Sequence, residues 1–174
     1  MRIFTAAVCA VLVSAGFAQA QEVNATARME APDAKDLGTV TFTQTESGML
    51  HVIIEMTGLP AGPHGFHVHE TGQCDGADGF KSAGGHYAGG KKHGVKNAEG
   101  PHPGDFPNVN VGQDGVLKAE FFTDRLSLGD GGENPLVDED GSAVVVHAEP
   151  DDYASDPAGH AGDRIACGVV EKPS

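Results

Sequence analysis

Seven side chains in this sequence have the types and spacing of metal ligands. His67 and His69 lie two apart in Gly-Phe-His-Val-His-Glu, residues 65–70. In a strand, side chains alternate between faces, so the two imidazoles share one face and Phe66 and Val68 share the other. His86 follows in Ser-Ala-Gly-Gly-His, and His93, His102, Asp105 and His147 lie further on. His147 ends a second apolar run, in which Val144 and Val146 take the opposite face. Three imidazoles projecting outward from a sheet suit copper or zinc. His86, His93, His102 and Asp105 make a closed four-coordinate set of the kind that holds structural zinc. These are ligands enough for two ions, but spacing alone leaves their division between the ions open.

The elements that must position these residues read as strands. Val40 and Phe42 alternate with threonines, and Leu50, Val52, Ile54 and Met56 alternate with His51, Ile53 and Glu55. Glu46-Ser47-Gly48 between them reads as a hairpin turn, and Asp114-Gly115 as another. Further strands fit residues 23–30, 65–70, 108–111, 116–122, 143–148 and 164–170. Eight short strands with Gly- and Pro-rich connections predict an all-β sandwich or barrel. Three segments fit neither strand nor helix: residues 71–107, 124–141 and 149–163. Segments this long within a compact domain are functional or disordered. The first carries His86, His93, His102 and Asp105, so a bound metal is expected to order it where a hydrophobic core cannot.

Residues 1–20 read as a secretory signal peptide: Arg2, an apolar stretch, then Ala18-Gln19-Ala20 as a small-x-small cleavage site. The stretch is too short for a membrane anchor. Cleavage leaves residues 21–174 as one domain, 154 residues long. Cys9 leaves with the signal, so Cys74 and Cys167 are an even pair in an exported chain and a disulfide is expected. A bond closing a loop of this length is worth roughly 4–5 kcal/mol on chain-entropy grounds. The net charge of −14 becomes −15 on loss of Arg2, with 10 basic against 25 acidic residues. Such a surface repels nucleic acid and anionic membrane.

Other motifs carry less. Gly89-Gly90-Lys91-Lys92 lacks the spacing and the following Ser or Thr of a phosphate loop. No Gly-x-Ser-x-Gly elbow is present, which argues against a Ser–His–Asp hydrolase. Asn24-Ala25-Thr26 matches a glycosylation sequon, a motif short enough to arise by chance. His51 reads as a surface residue, His64 as a cover over the metal motif, and His160 as a solvated loop histidine.

Taken jointly, Gly-Phe-His-Val-His-Glu, Gly-Gly-His86, His102-Pro-Gly-Asp105, Val-Val-His147 and Arg164-Ile-Ala-Cys-Gly-Val-Val resemble the copper/zinc superoxide dismutases. The periplasmic bacterial branch fits better, because an extended insert separates Cys74 from His86. The resemblance covers most of residues 21–174. It implies an eight-stranded Greek-key β-barrel with long metal-binding and electrostatic loops. It implies one copper, held by His67, His69, His86 and His147, and one zinc, held by His86, His93, His102 and Asp105. His86 would bridge the two metals. Cys74–Cys167 would tie the long loop to the last strand. Asp151 would link a copper histidine to a zinc histidine, His67 to His93, and Arg164 would dock the substrate anion. The implied reaction converts two superoxide anions to dioxygen and hydrogen peroxide as copper is alternately reduced and oxidised. His86 would release copper, take a proton and pass it on, while zinc keeps the ring in place. The branch includes monomers and dimers, so a homodimer is compatible with the resemblance.

The alternative is a non-catalytic relative that buffers, delivers or senses copper. Such a chain would be expected to lose the bridging histidine, a copper histidine or the docking arginine, and this sequence retains all of them. It departs from its relatives elsewhere. The stretch from Tyr87 to His93 is slightly short and lacks the usual Asp-Pro or Asn-Pro, so altered zinc-loop packing is expected. Residues 129–156 hold nine acids and no Lys or Arg. Many relatives place lysines around the channel; here Arg164 and Lys81 are the available cations, and Ala158 replaces a channel threonine. Weaker electrostatic steering is the expected result.

Overall fold

A computed structural model describes residues 23–128 and 131–173. The proposed signal peptide lies outside the described residues. Among the described residues nine strands form: β1 (Val23–Glu30), β2 (Asp36–Gln44), β3 (Leu50–Thr57), β4 (Gly62–His64), β5 (Phe66–His69), β6 (Val109–Val111), β7 (Val116–Thr123), β8 (Ala143–His147) and β9 (Arg164–Glu171). Helical structure among the described residues is confined to two single 3-10 turns, Gly76–Asp78 and Lys81–Ala83. Eight of the strands match the sequence expectation. The ninth, β4, is Gly-Pro-His, a composition that reads as a turn. It pairs with β6 in a two-stranded ribbon, where a proline is tolerated because no second partner needs its missing N–H.

Seven strands run antiparallel in the order β5-β8-β9-β1-β2-β3-β7. The chain leaves β7 by a long connection and returns to place β8 beside β5 and β9 beside β1, which is the Greek-key crossing. Three phenylalanines draw the two ends of this sheet together. Phe66 on β5 lies 6.3 Å from Phe121 on β7, and Phe106 packs against both at 5.6 and 5.7 Å. The sheet therefore curls into a barrel around one core, lined by Val40, Phe42, Leu50, Val52, Ile54 and Met56 among others. The anticipated turns are present: Gly48 N–H donates to Thr45 O and Gly115 N–H to Gly112 O.

Alternation sets the functional faces. Phe66, Val68, Val144 and Val146 point into the barrel core. Ala143 and Val145 point outward, yet they are also buried, in a second cluster with Phe80, Ala83 and Cys167. That cluster revises the expectation that a hydrophobic core cannot order residues 71–107. A small apolar patch, the Cys74–Cys167 disulfide and main-chain bonds such as Thr71 N–H to Ala83 O and Tyr87 N–H to Val68 O also pin the segment. Residues 124–141 hold a similar surprise. Leu126, Leu128 and Leu136 plug the main core, although no strand or helix carries them. Among the described residues no helix is long and apolar enough to cross a membrane.

Candidate metal centre

Strand register brings the first ligands together. His67 and His69 project from the outer face of β5, which pairs with β8 from Phe66↔Val146 to His69↔Ala143. The pairing of β8 with β9 shifts register between Val146 and His147, and His147 then stands opposite Arg164. His86 arrives from the long loop and bridges to the His69 backbone. His67, His69, His86 and His147 form one group and His86, His93, His102 and Asp105 another, and in each group one ligand atom from every residue lies within 4.8 Å of the others. His86 belongs to both. All seven residues are buried.

Hydrogen bonds decide which nitrogen of each ring is free. A carbonyl or carboxylate oxygen can only accept, so the nitrogen facing it carries the hydrogen and the other ring nitrogen is left bare in the neutral form. His69 Nδ1 donates to Gly84 O at 3.1 Å, and His147 Nδ1 to Gly162 O at 3.3 Å. Their Nε2 atoms face each other at 3.4 Å. His67 Nε2 donates to Asp151 Oδ2 at 3.0 Å, and its Nδ1 is buried without a partner. His86 Nδ1 donates to Asp105 Oδ1 at 3.1 Å, and its Nε2 is likewise buried and unpartnered. Buried polar atoms are rarely left unpaired. Two such orphans beside two facing imidazole nitrogens make an all-nitrogen site that fits copper.

The second group gathers around a single oxygen. His86, His93 and His102 direct their Nδ1 atoms at Asp105 Oδ1 from 3.1, 3.0 and 3.2 Å. Asp105 Oδ2 is held by the N–H groups of Gly94 and His102 at 2.9 and 3.0 Å. Three nitrogens and one carboxylate around a buried point fit zinc.

Asp151 lies between the groups. Its Oδ2 accepts from His67 and its Oδ1 from His93 Nε2, each at 3.0 Å. Gly159 closes over this contact with φ +63, and a Cβ there would collide with Asp151 Oδ1 and His93 Nε2.

Protonation follows the same layout. Burial, with neighbouring positive groups, pushes His147 down to about 3 and His86 to about 4, and holds His69 well below its ordinary value. These rings are neutral at neutral pH, with lone pairs available. Burial alone would also lower His93, but its bonds to Asp105 and Asp151 outweigh it and raise the ring to about 9. Asp105 is likewise opposed by burial, yet the surrounding histidines hold it far below the usual carboxylate range.

Arg164 donates through both terminal nitrogens, to Phe80 O and to Gly84 O, the latter at 2.7 Å. Its charge helps lower His69 and His147, which places it beside the first group. The remaining histidines stand apart. His64 is buried, with both nitrogens engaged by the carbonyls of His147 and Pro60, so it offers no free ligand atom. His160 is exposed and pairs with Asp152, and His51 pairs with Glu120 while stacking on Phe122. Lys81 is exposed and joins none of the ion pairs found among the described residues. The role of Gly159 carried no sequence signal, because it depends on which residues the fold places beside it.

A family model described as copper/zinc superoxide dismutase (SODC) matches residues 37–170. A Cu-Zn superoxide dismutase of Aquifex aeolicus is 45% identical over 167 residues, covering 95% of this chain and 96% of its own. One from Caulobacter vibrioides is 45% identical over 151 residues, covering 85% and 86%. Among solved structures, a superoxide dismutase-like protein from Bacillus subtilis superposes with a TM-score of 0.78 at 36% identity, over 83% of this chain and 96% of that one. A likeness that spans the barrel, the long loop and the last strand together leaves one conclusion: the chain belongs to the copper/zinc superoxide dismutase family.

Proposed function

We propose that this chain dismutates superoxide with His67, His69, His86 and His147 holding copper and His86, His93, His102 and Asp105 holding zinc. The observation that carries the division is the pair of buried unpartnered nitrogens, His67 Nδ1 and His86 Nε2, on the side away from Asp105 and Asp151. Copper, when bound, supplies the reversible one-electron change that both halves of the reaction need, and zinc supplies a fixed charge without redox chemistry.

The chain's own residues do the rest. Arg164 presents a half-buried guanidinium, pinned by two carbonyls and therefore pre-oriented, to a small anion that offers little else to grip. The carbonyls of Gly84 and Gly162 fix the tautomers of His69 and His147, so each offers Nε2. Asp151 does the same for His67 through Nε2. His86 Nε2 is the atom at which a proton is taken up and then given to the departing peroxide. Asp105 holds the other side of the His86 ring in place meanwhile.

We further propose that residues 1–20 direct export to the periplasm and that residues 21–174 are the single mature domain. The cysteine pairing supports this, since disulfides persist in oxidising compartments. The test of the function is a superoxide-consumption assay on protein whose copper and zinc contents are measured. Copper and zinc near one each per chain with high activity is expected; stoichiometric copper without activity would leave a copper-binding relative as the answer. N-terminal sequencing of the exported protein should begin at Gln21.

A further inference from the structure

Asp151 sits in a segment that belongs to neither strand nor helix, yet its carboxylate meets two histidines at 3.0 Å each. Something must place its backbone. The Asp151 N–H donates to Asn108 Oδ1 at 2.8 Å, and Asn108 Nδ2 donates back to the Asp151 carbonyl at 2.9 Å. The Asn108 side chain thus brackets the Asp151 residue as a neighbouring strand would. Asn108 directly precedes β6, so the bracket is anchored to the barrel. Its own N–H donates to the Tyr153 hydroxyl at 2.8 Å, and the Tyr153 N–H returns to Asp151 Oδ1 at 2.7 Å. These four bonds close a ring through Asn108, Asp151 and Tyr153.

Tyr153 also reaches the zinc-side loop. Its carbonyl accepts the Lys96 N–H at 3.0 Å, and the Lys96 ammonium lies 5.5 Å from its ring centre. Gly94, which follows His93, packs so close to the Tyr153 carbonyl that any Cβ there would collide with it. Tyr153 itself holds φ +65, uncommon for a bulky residue and maintained only where surrounding contacts insist on it.

We infer that Asn108 and Tyr153 form a latch that sets the Asp151 carboxylate between His67 and His93 and thereby slows the loss of zinc. Both are positioning residues, acting through Asp151. The inference rests on the reading of Asp151 as the link between the two ligand groups. The latch carries information that no single motif holds, because its parts come from the start of β6 and from the loop after β8.

The test compares Asn108→Ala, Tyr153→Phe and Asp151→Ala in the full metal-loaded enzyme. Zinc transfer to a chelator is timed, and the Nε2–H resonances of His67 and His93 are followed in the metal-free protein. Removing the linking carboxylate should speed zinc release about ten- to hundredfold. Asn108→Ala should speed it several-fold and weaken both Nε2–H signals, while the Nδ1–H of His69, which donates to Gly84, persists. Tyr153→Phe keeps the ring and backbone and should act in the same direction to a smaller extent; it decides the matter if Asn108→Ala does not fold. Lower melting temperatures with unchanged zinc release and unchanged His67 and His93 signals would make both residues merely structural and overturn the latch. Unchanged release in Asp151→Ala would instead overturn the linking role of Asp151, and the latch with it.

Discussion

The two ligand groups share His86 but are built in different ways. Three members of the copper-side group stand on barrel strands, where pairing of β5, β8 and β9 sets their spacing before any ion arrives. The zinc-side group comes wholly from residues 86–105, a segment without strands, and converges on one carboxylate oxygen. The first group is positioned mainly by the sheet. The second is positioned by hydrogen bonds to a buried anion, and a cation would replace those bonds. A site carried on strands is set more precisely than a site carried on a loop.

Substitutions should expose that asymmetry. His86→Ala removes the one residue common to both groups and the proposed proton carrier, so the superoxide rate of the metal-loaded enzyme should fall about a hundredfold or more. Retention of wild-type activity would break the idea of a shared ligand. Asp105→Ala should lower zinc content strongly while leaving much of the copper; equal loss of both metals, measured by elemental analysis, would mean that the loop and not the sheet positions the copper side. Gly159→Ala places a methyl group against Asp151 and His93 at a positive φ. It should destabilise the protein by about 1–3 kcal/mol in chemical denaturation and weaken zinc before copper. The smallest expected effect is that of salt. With nine acids and no Lys or Arg in residues 129–156, the superoxide rate should decline only gently as ionic strength rises. A steep fall would show that Arg164 and Lys81 steer the anion more strongly than the acidic surface opposes them.

Much of this architecture is legible in the chain because alternation is a local property. The facing of Phe66 and Val68 inward and of His67 and His69 outward follows from a period of two, whatever the strands pair with. The cysteine pair follows from count and compartment. Residues 71–107 and 124–141 are another matter. Phe80, Ala83 and the leucines at 126, 128 and 136 are buried outside any strand, where irregular backbone can bury side chains at any spacing. The three-residue strand β4 has a turn composition and exists only because β6 lies beside it.

The sequence by itself determined the ligand types, their order and the strands that carry His67, His69 and His147, since residue chemistry and strand alternation do not depend on distant contacts. It also carried the family likeness, through several short motifs that are specific only together. The tertiary structure decided which ring nitrogen His67, His69, His86 and His147 keep bare, because that depends on the carbonyls of Gly84 and Gly162 and on two carboxylates remote along the chain. It also decided the surroundings of Asp151, held by Asn108 and Tyr153 and covered by Gly159. Hydrogen-bond geometry between segments far apart in sequence has no local periodicity, and only the folded chain brings those atoms within reach.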